Sequence, residues 1–171
     1  MQIAERTVPV WLYPGISDGG SVRITDDAGA VLLEQPLSYS TCFCWTNHDL
    51  TAAAGEVLHI TVENAQLFEL AFRDADGALV PVTGGGALFD EQDAVPEAIS
   101  QLNSMYFDEI YHGRTGYEQL HRLPVYETTH PPLGQDFIML GIALFGMTAD
   151  GWRCAGTLFG VMRVPEVRII G

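Results

Sequence analysis

Thr83-Gly-Gly-Gly86 separates two kinds of sequence pattern, and the fold reading turns on it, because three successive glycines resist any regular element. Immediately upstream, Leu67-Phe-Glu-Leu-Ala-Phe72 alternates with period two, and Asp74-Ala-Asp-Gly77 turns it into Leu79-Val-Pro-Val82. Further back, Glu56-Val-Leu-His-Ile-Thr-Val62 alternates in the same way. Gly20-Ser-Val-Arg-Ile-Thr25 does too, and Asp26-Asp-Ala-Gly29 turns it into Val31-Leu-Leu33. Thr7-Val-Pro-Val-Trp-Leu-Tyr13 is a β-rich run closed by Pro14-Gly15. Strands at such short, regular intervals predict an antiparallel β-sandwich or jelly roll over residues 1–86.

Downstream the period changes. Asp90-Glu-Gln-Asp93 suits a helix start, Pro96 fits a first turn, and Ile99, Leu102, Met105 and Tyr106 recur at helical spacing. A second helix is expected over Tyr111 to Leu120 and a third over Gln135 to Phe145. Between them Pro124 to Gly134 holds three prolines and must be extended or turned. The fold class is therefore α+β, with a β domain over 1–86 and a mainly helical segment over 87–171.

The 171 residues carry 8 basic and 22 acidic side chains, a formal charge of −14. So few cations cannot neutralise a phosphate backbone, which excludes nucleic acid as a partner. The run Phe137 to Thr148 is uncharged over twelve residues, short of the roughly 20 that a membrane-spanning helix needs. Cys154 to Met162 is a second apolar run, and a short helical hairpin broken at Gly151, with Asp150 and Arg153 capping or solvating it, is expected from the pair. Both runs are expected to show apolar surface. Cys42 and Cys44, two apart on an expected strand, read as buried thiols rather than a bridge or a metal site with His48.

The chemistry-bearing stretch is Tyr106-Phe-Asp-Glu-Ile-Tyr-His-Gly-Arg-Thr-Gly-Tyr-Glu-Gln-Leu120, followed by His130-Pro-Pro-Leu-Gly134. It sets adjacent carboxylates among aromatics and a cation. Residues 104–161 resemble the first extracytoplasmic loop of the protein O-mannosyltransferase family, which carries an Asp-Glu pair and, downstream, His-Pro-Pro-Leu-Gly-Lys. Leu144-Phe-Gly146 and Gly151-Trp-Arg153 extend the resemblance, whereas Gln135 stands where the family motif has Lys. The first ninety residues do not share in it.

The resemblance implies transfer of a mannose-type sugar from a polyprenyl-phosphate donor to a hydroxyl acceptor. The region would lie on the extracytoplasmic side of a membrane-associated parent protein. Asp108 would act as base, with Glu109 beside it. His112, Arg114 and His130 would bind substrate or the departing phosphate. No cofactor is implied with certainty, and room remains for a divalent metal. Helix geometry turns adjacent residues about 100° apart, so Asp108 and Glu109 cannot face one substrate equally. The family's membrane helices have no counterpart in this sequence, and Arg163-Val-Pro-Glu-Val-Arg168 reads as a truncation or a redesign toward solubility. The chain alone is expected to be inactive. Two other readings stand beside this one. The first is a non-catalytic β-sandwich module binding carbohydrate or protein, with Trp11, Tyr13, Tyr39, Phe43 and Trp45 as a sugar platform. The second is a hydrolase using Asp108 or Glu109 with a distant carboxylate.

Overall fold

One long strand organises the N-terminal half of the computed structural model, which describes residues 6–53 and 55–170, with side chains described over 8–53 and 55–163. Strand β1 (Arg6–Asp26) pairs antiparallel along most of its length with β4 (Leu58–Phe72). On its other edge it pairs with β3 (Thr46–Ala52) near the start and with β2 (Val31–Pro36) near the end. Val10, Leu12, Val22 and Ile24 of β1 nonetheless share one buried cluster with Leu37, Leu50, Leu70 and Phe72. In a straight strand Val10 and Ile24 would stand about 45 Å apart at a rise of about 3.3 Å per residue. The β1–β4 ribbon must therefore fold over on itself.

The sequence explains where it folds. The β1–β4 register shifts between Tyr13 and Pro14, again before Ser17, and again before Ser21. Pro14 has no N–H to give a ladder, so the bulge forms there, and the Pro14 carbonyl accepts from Phe43 N instead (2.8 Å). At Gly20 a Cβ would lie 2.4 Å from the Glu63 carbonyl oxygen, so the bend needs a residue without one. Pro14-Gly15 thus bends a continuous strand where the sequence suggested a strand end. Residues 58–72 likewise form one strand, running through Asn64 at φ 50. The antiparallel β part is present as a single four-stranded sheet whose two halves enclose a common core.

Cys42 and Cys44 follow a short 3-10 turn (Tyr39–Thr41) rather than lying on a strand, and both are buried thiols. Cys42 Sγ accepts from Ser17 N at 3.3 Å. Trp11, Phe43 and Trp45 are also buried, and of the aromatics expected to form a sugar platform Tyr39 is well exposed.

Residues 90–106 do not form the expected helix. A single 3-10 turn spans Gln92–Ala94, and residues 90–96 fold back as a strap over the sheet. Glu69, buried on β4, accepts from Glu91 N (3.2 Å) and from the Gln92 side chain (2.5 Å). Burial pushes its carboxyl above the usual range despite those bonds. Arg73 donates to the carbonyls of Val95 and Pro96 (3.2 and 3.0 Å), and Val95 packs with Trp11, Trp45 and Ala71. The chain divides into compact units at 1–100 and 101–171, the strap belonging to the first.

The second unit holds α1 (Glu109–Leu120), α2 (Pro132–Phe145) and α3 (Ala149–Ile170). Helix α2 begins three residues before the expected Gln135, because Pro132 fits the first helical turn, where its missing N–H costs nothing. Glycines set the packing. A Cβ at Gly116 would meet Ile138 and Ile142 of α2, and one at Gly141 would lie 2.3 Å from the Gly151 carbonyl oxygen. Gly151 lies within the first turn of α3; the break between α2 and α3 falls at Gly146, φ 75. Close approach of the two backbones leaves Leu140, Leu144, Leu158 and Val161 exposed. Arg163 is exposed, whereas the side chains of Glu166 and Arg168 lie outside the described ones.

Candidate functional site

The Asp-Glu pair sits at the entrance to α1. Residue Phe107 adopts the left-handed region (φ 51), uncommon for an aromatic residue and a marker of a turn held by its surroundings. Phe107 is 74% exposed, so burial does not hold it there. The restraint comes from Glu109, whose carboxylate accepts from the backbone N–H of Tyr106 (3.0 Å) and from Nε and Nη2 of Arg153 (2.8 and 2.6 Å). Arg153 extends the brace by donating to the carbonyls of Gln101 (2.5 Å) and Ser104 (3.0 Å). Hydrogen bonding from Arg153 holds the Glu109 carboxyl below the ordinary carboxylate range.

Asp108 has no part in that brace among the bonds described. It precedes the first residue of α1, makes no capping bond through its carboxylate, and is exposed. One turn on, His112 lies on the same flank of the helix, as its spacing of four requires. Its ring meets that of His130 edge to face, with centroids 4.7 Å apart. His130 is held on its own side by Glu127 (3.6 Å) and by the Thr129 hydroxyl (3.4 Å). Glu127 in turn accepts from both the N–H and the hydroxyl of Thr129, which keeps its carboxyl low. The Asp-Glu and His-Pro-Pro stretches, separated in sequence, thus meet through His112 and His130.

Arg114 stands elsewhere. It is buried, donates to Glu118 at 2.7 Å, and lies over the ring of Tyr126 at 4.1 Å. Gln135 is buried at the start of α2. Sequence reading gave Arg153 no more than a capping or solvating role on the hairpin and assigned none to Glu118. The i,i+4 spacing of Arg114 and Glu118 was the available signal for the latter. Nothing local announces that Arg153 reaches Glu109 across 44 positions. Among the described residues no group of three or more His, Cys, Asp or Glu side chains is placed to hold a metal ion. What the arrangement offers chemically is an exposed carboxylate at the start of α1 and, one helical turn on, a pair of imidazoles in contact, on a backbone braced by Glu109 and Arg153.

Comparison with known proteins points the same way. Over 87 residues, half of this chain, the sequence is 34% identical to a polyprenol-phosphate-mannose–protein mannosyltransferase of Mycobacterium tuberculosis. It is 31% identical over 87 residues to the protein of the same name from Mycolicibacterium smegmatis. The match takes in 14% of each relative's length. No family model matches the chain, and no solved structure does. A relationship to the protein O-mannosyltransferases is therefore supported over half of the chain.

Proposed function

We propose that the helical unit forms the acceptor-side part of a mannosyltransferase that uses a polyprenyl-phosphate sugar and modifies a protein hydroxyl. In this reading the Asp108 carboxylate takes the proton of the acceptor hydroxyl. The freed oxygen bonds to the anomeric carbon, the bond from that carbon to the phosphate oxygen breaks, and the lipid phosphate leaves with the electron pair. In this reading His112 and His130 meet the phosphate charge. Glu109 holds the turn that presents Asp108. The observation that carries the reading is the contact of His112 with His130 one helical turn from an exposed Asp108, in a chain related to mannosyltransferases over half its length.

The region would face the extracytoplasmic side of a membrane-associated parent protein, whose other parts would bind the lipid. Among the described residues no helix is long and apolar enough to cross a membrane; in this reading the donor's lipid is bound by other parts of the parent protein, and these residues alone transfer no sugar. The test is a chimera of the M. smegmatis relative carrying residues 101–163 of this chain in place of the corresponding ones. Transfer of labelled mannose to a Ser/Thr peptide is expected, with a loss of about 100-fold or more in the Asp108→Asn chimera, the scale of a lost general base. Undiminished transfer by Asp108→Asn would overturn the assignment of the base. Turnover by the 171-residue chain alone would overturn the dependence on the remainder.

A further inference from the structure

The segment 121–131 that delivers His130 has no regular structure of its own, yet it is tied twice to a single residue, Glu118. Glu118, on the last turn of α1, is buried, as is Arg114. One oxygen, Oε1, takes the Arg114 Nε bond at 2.7 Å, and the other, Oε2, accepts from the backbone N–H of Tyr126 at 2.8 Å. The Glu118 backbone carbonyl accepts from Leu123 N at 2.8 Å. Arg114 closes the arrangement by lying over the Tyr126 ring. The same residue therefore ends the helix, turns the chain and pins it again at Tyr126, four residues before His130.

We infer that Glu118, held by Arg114, is the positioning residue that sets His130 against His112, an inference that rests on the proposed transferase reading of that site. Neither Arg114 nor Glu118 touches substrate in this scheme. Arg114 orients the carboxylate and covers Tyr126, so its cation serves the loop and not the phosphate. A carboxylate suits the task because it accepts from two donors at once along fixed directions, and burial excludes the water that would compete for Tyr126 N. A buried pair with one member removed leaves an uncompensated charge, whereas replacing both by apolar residues of similar volume is often tolerated. That difference separates positioning from simple support of the fold.

The experiment is NMR of the full 171-residue chain, reading the nuclear Overhauser contact between the His112 and His130 ring protons. In Glu118→Ala, and in the double variant Arg114→Met with Glu118→Leu, the contact should be lost while α1 and α2 keep their amide protection. In the chimera the double variant should lower kcat by at least tenfold with KM within about twofold. Should Glu118→Ala fail to fold, the double variant decides alone. A ring contact that persists in a folded double variant overturns the inference. An inactive parental chimera would sink the transferase reading, and the ring-contact result would still stand or fall by itself.

Discussion

Replacing Gly141 and Gly156 by alanine, one at a time, should move the stability of the helical unit in opposite directions. Both glycines sit in helices, and alanine is preferred there by about 1 kcal/mol. At Gly156, on exposed α3, a Cβ would find nothing within 4 Å, so the full preference should appear as a gain of about 1 kcal/mol. At Gly141 the new Cβ would lie 2.3 Å from the Gly151 carbonyl oxygen and 2.6 Å from Cys154 Sγ. The shortfall from an ordinary contact is about 1 Å, and it falls on backbone, which cannot swing aside as a side chain can. Overpacking of this kind costs about 1–3 kcal/mol. The upper part of that range applies, and the net result is a loss of about 1–2 kcal/mol.

The assay is native-state hydrogen exchange on the slowest amides of α2 and α3, which reports the opening of this unit alone. The identical substitution should then differ by about 2–3 kcal/mol between the two positions. Adding Cys154→Ala to Gly141→Ala should recover part of the loss, since it removes the sulfur clash and leaves the carbonyl one. A Gly141→Ala protein as stable as Gly156→Ala would refute the close α2–α3 approach.

The Glu109–Arg153 brace carries a definite pH sign. Because the carboxyl is lowered in the folded protein, its stabilisation is present above the unfolded pKa of about 4.3 and is lost as pH falls through the lowered value, so protection of residues 101–106 should drop as pH falls below about 4.3 and become flat in Glu109→Gln. Partial exposure of the pair keeps the effect to about 1 kcal/mol. Phe107→Asn should be neutral or stabilising by up to about 1 kcal/mol in thermal unfolding, since Asn tolerates the left-handed backbone and the exposed ring loses little burial; a clear loss would show that the ring holds the turn. Light scattering should show concentration-dependent self-association of the chain that falls in Leu144→Lys, where the side chain is 76% exposed; an unchanged profile would free that face from any part in association.

The order of elements was readable where pattern and backbone demand agree. Alternation predicted most of β1, β2 and β4, and Tyr111 to Leu120 predicted most of α1; β3 carries no alternation that announced it, and Leu79-Val-Pro-Val82 forms only an isolated bridge at Leu79 instead of the expected strand. Residues 90–106 show the opposite case. Their helical spacing is genuine, but Glu69 takes the Glu91 N–H and Arg153 takes the Gln101 and Ser104 carbonyls. The groups a helix would have paired are engaged by residues distant in sequence, and a local pattern cannot register that. Pro14-Gly15 misled for a related reason. A proline that would end an isolated strand becomes a bulge when a neighbouring turn supplies the donor for its carbonyl.

Adjacent carboxylates at a helix start must diverge by about 100°, so one cation cannot serve both and one substrate cannot meet both. The structure resolves the divergence by giving each a side. Glu109 turns toward α3 and binds Arg153, and that bond holds the left-handed turn at Phe107. Asp108 is then left exposed, one turn from His112. The strained residue, the engaged carboxylate and the exposed one are consequences of a single arrangement. If Glu109 were released, the turn at Phe107 would lose its bonds to Tyr106 N and Arg153, and the entrance to α1 that carries Asp108 would lose its brace. The lowered pKa of Glu109 is a sign of its engagement with Arg153 rather than of a base awaiting a proton.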